Sequence, residues 1–217
     1  MNHLIGLYRS SVGKKILIGT TGICLCIYLI VHLAGNLLLF KNDGGAAFNA
    51  YAEILPSLLI IRIIEVILFA IFAGHIFLGV VLWLMNRRAR PHRYAVNKAS
   101  ENSDLLSRTM IVTGSIVFIF LVIHLRQFWG PSRFGTGHIE MFTLVKAAFT
   151  DPVYATLYIV AMVLLAFHLR HGFQSVLQTF GLRNKRFLPI INLIGLLFWF
   201  VIPLGFAVMP VYFLLNL

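Results

Sequence analysis

Four histidines are the residues of this chain most suited to chemistry, because each lies inside a long apolar segment. His32, His75, His124 and His168 are flanked by aliphatic and aromatic residues, as in IYLIVHLAGNLLLF at 27–40. A polar side chain in an apolar medium costs free energy unless a partner satisfies it. One such histidine could form a hydrogen bond between helices, but four in consecutive segments predict a shared functional role.

The elements that position these histidines are predicted to be transmembrane helices. Of the 217 residues, 59% are hydrophobic and 12% are charged, whereas a soluble domain is about half apolar and a quarter charged. Five apolar segments are long enough to span a bilayer as helices. We therefore expect an all-α integral membrane protein, with a single domain over 1–217. The segments comprise residues 16–40, 58–85, 109–129, 153–177 and 187–215.

Charged residues are divided unequally between the two ends of the predicted helices. One side has 13 basic residues and only two acidic ones, Glu101 and Asp104, while the other side has five of each. The positive-inside rule predicts a cytoplasmic N-terminus on the basic side. The net charge of +11 is thus explained by topology and not by nucleic acid, although this face could also dock a partner. The basic residues are Arg9, Lys14, Lys15, Arg87, Arg88, Arg90, Arg93, Lys98, Arg108, Arg170, Arg183, Lys185 and Arg186.

An internal repeat relates the first and third segments. A Thr-Gly pair at 21–22 precedes His32, and a Thr-Gly pair at 113–114 precedes His124, with the same spacing. The second and fourth segments then contain His75 and His168. The first four helices are therefore predicted to form two related hairpins.

The depth of each histidine follows from its distance to the middle of its segment. At about 1.5 Å per residue, His32 and His124 lie roughly 6–8 Å towards the outer side. His75 and His168 lie roughly 5 Å towards the cytoplasm, because their helices run inward. The sequence thus predicts two pairs of imidazoles at two depths.

Two imidazoles at one depth suit a haem better than zinc. Zinc requires four ligands, whereas a haem provides four nitrogens and needs two axial ligands, which bundle helices can supply. The prediction is two haems b between helices 1–4. A bis-histidine iron has no open position and favours electron transfer. A lipid-soluble quinone and a soluble redox subunit would then be the reaction partners. We find no flavin fingerprint and no cysteine cluster for an iron–sulfur centre in this sequence.

Four strings around these histidines indicate a family. They are SVGKKILIGTTG, VHLAGNLLLF, FNAYAEIL and FHLRHGFQSVLQTFG. With them the chain resembles the membrane cytochrome b subunit of succinate:quinone oxidoreductases, in the two-haem variety with one five-helix anchor. The resemblance implies that His32 and His124 bind the distal haem, and that His75 and His168 bind the proximal haem.

The resemblance also implies partners and a reaction. A flavoprotein subunit and an iron–sulfur subunit would bind on the cytoplasmic face of a bacterial membrane, with the dicarboxylate site on those subunits and menaquinone as the electron acceptor. Fumarate reductase members can have a glutamate where this chain has Ala166, which favours succinate oxidation. The alternatives are an anchor for fumarate reduction and, in another class, a proton- or solute-conducting bundle without haem.

Polar residues near the outer end are candidates for quinone contacts. Arg62, Glu65 and Arg126 lie near the ends of the second and third segments, beside the predicted distal pair. Ionisable groups there could donate to a quinone carbonyl or move protons. They could equally form an interfacial salt bridge or extend to the headgroups.

Polar residues near the inner end are candidates for propionate or quinone contacts. Lys14, Gln174 and Ser175 could provide the donors that haem propionates require. His171 lies three residues after His168, on roughly the same helix face. The resemblance assigns the ligand to the first histidine of HLRHG, which leaves His171 near a propionate or in a hydrogen bond.

Overall fold

The computed structural model describes residues 10–89, 105–135, 137, 139–182, 184 and 186–215, and within these ranges the chain is helical with no strand. Five helices are long and apolar enough to cross a membrane, which confirms the prediction of a multi-pass, all-α protein. They are α1 (Ser11–Phe40), α3 (Leu59–Arg88), α4 (Leu105–His124, continued to Phe134), α6 (Pro152–Thr179) and α7 (Leu188–Leu214).

Helices α1 and α6 begin before the corresponding predicted segments, each after a residue whose polar side chain caps it, whereas α7 (Leu188–Leu214) is slightly shorter than the predicted segment 187–215. Helix α1 begins at Ser11, five residues before the predicted start at 16, since the backbone N–H of Gly13 donates to Ser10 Oγ at 2.9 Å. Helix α6 begins after Asp151, whose carboxylate accepts from the N–H of Val153 at 2.8 Å. Such caps satisfy backbone donors that the first helical turn leaves without partners.

Two short helices, α2 (Ala46–Ser57) and α5 (Met141–Thr150), were not predicted because they are too short to span a bilayer. They lie side by side, and the backbone N–H of Phe142 donates to Asn49 Oδ1 at 2.8 Å. They cover one end of the bundle and complete the main hydrophobic core. That core consists of Leu39, Phe48, Val145, Ala148, Phe149, Tyr158, Met209 and Phe213.

The spanning helices are arranged around α1 and α6. Helix α1 packs against α3, α6 and α7, and α6 packs against α4 and α7, while α3 and α4 barely meet. On α1 and α3, Ile18 lies beside Gly79 while Gly22 lies beside His75, and on α4 and α6, Gly114 lies beside His168 while His124 lies beside Tyr158. Both helix pairs are therefore antiparallel. The two hairpins predicted from the repeat are therefore present.

Charged residues mark the two ends of this bundle. The described acidic residues all lie at the end covered by α2 and α5, called here the acidic end, and they are Asp43, Glu53, Glu65, Glu140 and Asp151. The opposite, basic end has Lys14, Lys15, Arg87, Arg88 and Arg186. The other charged residues of the predicted cytoplasmic side that lie outside the described residues are Arg9, Arg90, Arg93, Lys98, Glu101, Asp104, Arg183 and Lys185. Which end faces the cytoplasm stays a prediction.

The close packing of α2 on α1 can be tested by substituting Gly35. A Cβ at Gly35 would lie 2.6 Å from Tyr51 Cε1, closer than non-bonded carbons approach. We expect Gly35→Ala to lower the free energy of unfolding by about 1–3 kcal/mol, measured by thermal unfolding in detergent. The control is Gly79→Ala, whose Cβ would make an ordinary contact of 3.6 Å with Ile18. A Gly35→Ala/Tyr51→Ala variant that is no more stable than Gly35→Ala would contradict this explanation.

Candidate functional site

The structure brings the four intramembrane histidines together in two pairs. The ring centroids of His32 and His124 are 5.8 Å apart with an angle of 87° between the planes. The centroids of His75 and His168 are 6.4 Å apart with an angle of 76°. The first pair lies towards the acidic end and the second towards the basic end, as the depth argument predicts.

The two pairs are well separated along the bundle. Thr21 of α1 contacts His75, and His32 lies eleven residues further along the same helix. At 1.5 Å per residue the two levels are about 16 Å apart. The four imidazoles therefore do not touch one another as a continuous chain across the bundle.

Aromatic rings surround the acidic-end pair. Tyr28 stacks on His32 at 5.4 Å, and Phe206 approaches His32 from α7 at 5.5 Å. His124 lies between the rings of Phe120 and Phe128, at 5.8 Å and 5.4 Å. These rings form an apolar shell that keeps water from the imidazoles. Three of them are four residues from a histidine, and that helical spacing could have identified them in the sequence.

Tyr158 is a polar neighbour of the acidic-end pair that sequence reasoning missed. Its hydroxyl lies 3.3 Å from His124 Nδ1, and the residue is buried in the core beneath α5. A partner on Nδ1 orients the ring and leaves Nε2 to face a ligand. Within the part of the chain that the structure describes, the polar group near His32 Nδ1 is the Asn36 amide, at 3.5 Å.

The threonine of the first Thr-Gly pair contacts a histidine of the basic-end pair. Thr21 Oγ1 lies 3.0 Å from His75 Nδ1, and also within 3.1 Å of the carbonyl oxygens of Leu17 and Ile18. When the hydroxyl proton donates to one of these carbonyls, the oxygen is free to accept from the Nδ1–H of His75. This hydrogen bond selects the tautomer in which Nε2 has a free lone pair.

The glycine of each Thr-Gly pair lets a histidine of the neighbouring helix approach. A Cβ at Gly22 would lie 3.4 Å from His75 Cε1, and a Cβ at Gly114 would lie 3.4 Å from His168 Cε1. The two hairpins thus repeat one contact. They differ in the hydrogen bond, because Thr113 donates to a backbone carbonyl while the buried Nδ1 of His168 has no partner among the described residues.

The two imidazoles at each level suit a metal ion whose other ligands come from its own cofactor. Within the described residues there is no group of three or more His, Cys, Asp or Glu side chains placed to hold a metal ion, so each level offers two imidazoles. Two imidazoles that each bind one metal ion at about 2 Å have ring centroids about 6 Å apart. The separations of both pairs are close to this value, and haem iron needs only two such axial ligands.

Helices α3 and α4 bury few of their described side chains against the rest of the protein. Among the residues whose side chains are described, α3 buries only Leu78 and α4 buries only Thr113. A flat group between these helices would add to their packing without displacing an existing core. The residues present therefore fit haem at both levels.

A second polar cluster lies at the acidic end, between α3 and α4. Glu65 accepts a hydrogen bond from Trp129 Nε1, and its carboxylate is 3.9 Å from Arg62 and 3.7 Å from Arg133. The buried Nη1 of Arg62 has no hydrogen-bond partner among the described residues. Arg126, predicted to join this group, is exposed and makes none of these contacts.

A π-helical turn lies between His124 and the part of α4 that contains Arg133. Residues Leu125–Trp129 form a wider turn immediately after His124. A π turn contains one residue more than an α turn and so rotates the residues that follow it. The third apolar segment predicted from the sequence ends at residue 129, so Arg133 lay outside the predicted helix, whereas α4 continues to Phe134.

The candidates at the basic end are dispersed. Gln174 is exposed and lines a cleft with Arg170, on the side of α6 away from His168. Ser175 is exposed, while Lys14 and His171 are partly buried. The contacts predicted for these residues with a propionate or a quinone stay predictions.

No protein-family model, curated protein or solved structure matches the chain.

Glu65 is expected to stabilise the acidic end by holding two guanidinium groups. Glu65→Gln keeps an acceptor for Trp129 but leaves Arg62 and Arg133 without a counter-charge. We expect a loss of about 1–2 kcal/mol in the free energy of unfolding, measured by thermal unfolding. Glu53→Gln makes the same charge change at an exposed position and should have little effect. Equal losses in both variants would show that the cluster adds no stability.

Proposed function

We propose that the chain is the membrane anchor of a succinate:quinone oxidoreductase, holding two haems b and passing electrons from an iron–sulfur subunit to menaquinone. The observation that supports this most directly is the pairing of four histidines at two levels. Each pair has the ring separation that axial ligation of one iron requires.

The residues of the chain would hold and insulate the two groups. His32 and His124 are the proposed axial ligands at the acidic end, and His75 and His168 are those at the basic end. When bound, each haem would supply a reversible one-electron redox centre with no free coordination position. Thr21 keeps His75 in the tautomer that can bind, and the rings around His124 exclude water.

The ends of the bundle suit two different electron partners. The positive charge of the basic end favours a soluble subunit with an acidic docking face. In the proposed complex this would be the iron–sulfur subunit bound to its flavoprotein. The dicarboxylate reaction would take place on those partners, and this chain would contribute the haem and quinone chemistry.

The cluster around Glu65 is the proposed site of quinone reduction. Menaquinone accepts two electrons and two protons to form menaquinol. The buried Nη1 of Arg62 is a donor suited to a quinone carbonyl, and the Glu65 carboxylate can transfer a proton. Both residues lie at the same end of the bundle as His32 and His124, so the proposed quinone site would be next to the residues that would hold the acidic-end haem.

A proton path through the histidines is less well supported. A relay needs hydrogen-bonded groups in sequence, and the two imidazole levels are about 16 Å apart along α1. The residues between them on α1 and α4 are mainly aliphatic and aromatic.

Haem content of single-histidine variants tests the proposal. A pyridine haemochrome spectrum of the purified complex should give about two haems b per chain, one for each pair of ligands. His75→Ala and His168→Ala should each remove the same haem, and His32→Ala and His124→Ala the other. The control is His171→Ala, which should keep both. A folded protein without haem would overturn the proposal, and loss of haem in His171→Ala would move the ligand from His168.

Thr21→Val tests the hydrogen bond to His75 without changing the shape of the side chain. Loss of the acceptor makes the imidazole a weaker donor, so we expect about 10–100-fold weaker binding of the basic-end haem. We also expect a higher midpoint potential for that haem in a redox titration. Thr21→Ser keeps the hydroxyl and should behave like the wild type.

The matched control is Thr20→Val at the neighbouring exposed threonine, which bonds only to the Ile16 carbonyl. If both valine variants shift the same haem equally, the effect comes from the helix and not from the hydrogen bond.

A further inference from the structure

The basic end of the bundle contains a polar cleft that the proposed function does not use. It lies between α6 and α7 and has a volume of about 230 Å³. Its polar lining is formed by Arg170, Gln174 and Asn192, and Trp199 and Phe173 contribute aromatic walls. All three polar residues are exposed, so within a membrane they would face lipid.

The cleft is on the opposite side of α6 from the histidine pair. Arg170 follows His168 by two residues, which is a rotation of about 200° around a helix. Gln174 follows Arg170 by four residues and so shares its face. His168 faces α3 and α4 through its contacts with His75 and Gly114. Arg170 is therefore directed away from any group held by that pair.

The geometry of α7 forms the cleft. Residues Leu197–Val201 make a π-helical turn, and the indole of Trp199 in this turn lies 5.4 Å from the Arg170 guanidinium. Gly195 allows α7 to approach α6, because a Cβ there would lie 2.6 Å from Phe173 Cε1. The indole face supports the cation, while the amides of Gln174 and Asn192 line the opening.

Arg170 lacks a counter-charge within the part of the chain that the structure describes. The described acidic residues all lie at the acidic end, and none forms an ion pair with Arg170. Arg170 lies 4–5 residues beyond the middle of α6, about 7 Å towards the basic end. With the middle of α6 taken as the centre of the bilayer, this depth is inside the hydrocarbon region, whose half-thickness is about 15 Å, and a charge there needs a partner.

We propose that this cleft binds the phosphate of an anionic phospholipid from the leaflet at the basic end. Arginine side chains extend towards the headgroup level, and there Arg170 would pair with the phosphate as Gln174 and Asn192 donate to its oxygens. The amides can also accept from a glycerol hydroxyl, which favours phosphatidylglycerol or cardiolipin. The acyl chains would lie along the apolar surface of α7.

The membrane itself supplies this anion at the required depth. A quinone is uncharged and would leave Arg170 without a counter-charge, and free phosphate would have to lose its water to enter. The inference needs only that α6 and α7 cross a membrane, and it is independent of haem and of the proposed redox function.

Lipid binding to the full chain, purified with its copurifying subunits, tests the inference. Native mass spectrometry with added dioleoyl-phosphatidylglycerol should detect one tightly bound lipid in the wild type and about tenfold weaker binding in Arg170→Gln. The control is Arg87→Gln, which removes another basic-end arginine stacked on an indole, 5.5 Å from Trp83. This control should keep the tight site.

Competition experiments separate the possible ligands. Dioleoyl-phosphatidylcholine and millimolar inorganic phosphate should fail to displace the bound phosphatidylglycerol, and so should a soluble menaquinone analogue. Displacement by any of these, or equal binding in Arg170→Gln and the wild type, would overturn the inference. If Arg170→Gln does not fold, Gln174→Leu/Asn192→Leu keeps the cation and should still weaken phosphatidylglycerol binding. Unchanged binding in that variant would likewise overturn it.

Discussion

The structure depends on one constraint: an imidazole inside a bilayer needs a partner, because lipid offers no hydrogen bonds. Four helices each contribute one histidine, and the antiparallel hairpins set the level at which each histidine lies. Since α1 and α4 run in one direction and α3 and α6 in the other, His32 can meet only His124 and His75 only His168. The glycine of each Thr-Gly pair has no side chain, so the helix backbone can lie close to His75 or His168.

The packing of the bundle is uneven in a way that suits this arrangement. At the acidic end α2 and α5 cover a dense aromatic core that includes Tyr158 and Phe149. In the middle, α3 and α4 bury little of their surface against other helices. The core can therefore fix the positions of the helices, while α3 and α4 keep most of their described side chains outside it.

Much of this architecture could be predicted from the sequence, because bilayer thickness and apolar length dictate spanning helices. The pairing of the histidines also followed, since it needs only helix direction and rise per residue. The short helices α2 and α5 were not predictable from apolar length, because neither is long enough to span. The Arg133–Glu65 contact was missed because the third predicted segment ends at residue 129, whereas α4 continues through a π turn to Phe134. The Tyr158–His124 contact depends on the register between α4 and α6.

The two ends of the bundle differ in the chemistry that their polar side chains allow. At the acidic end, Glu65 lies between two guanidinium groups, so a group that can exchange protons is present beside a hydrogen-bond donor. In the cleft at the basic end the described polar residues are Arg170 and two amides, which provide a positive charge and hydrogen-bond donors but no carboxylate or imidazole. Quinone reduction consumes protons, whereas binding of a phosphate does not. This difference favours assigning the quinone to the Glu65 cluster and a structural anion to the Arg170 cleft, with the two imidazole levels between them.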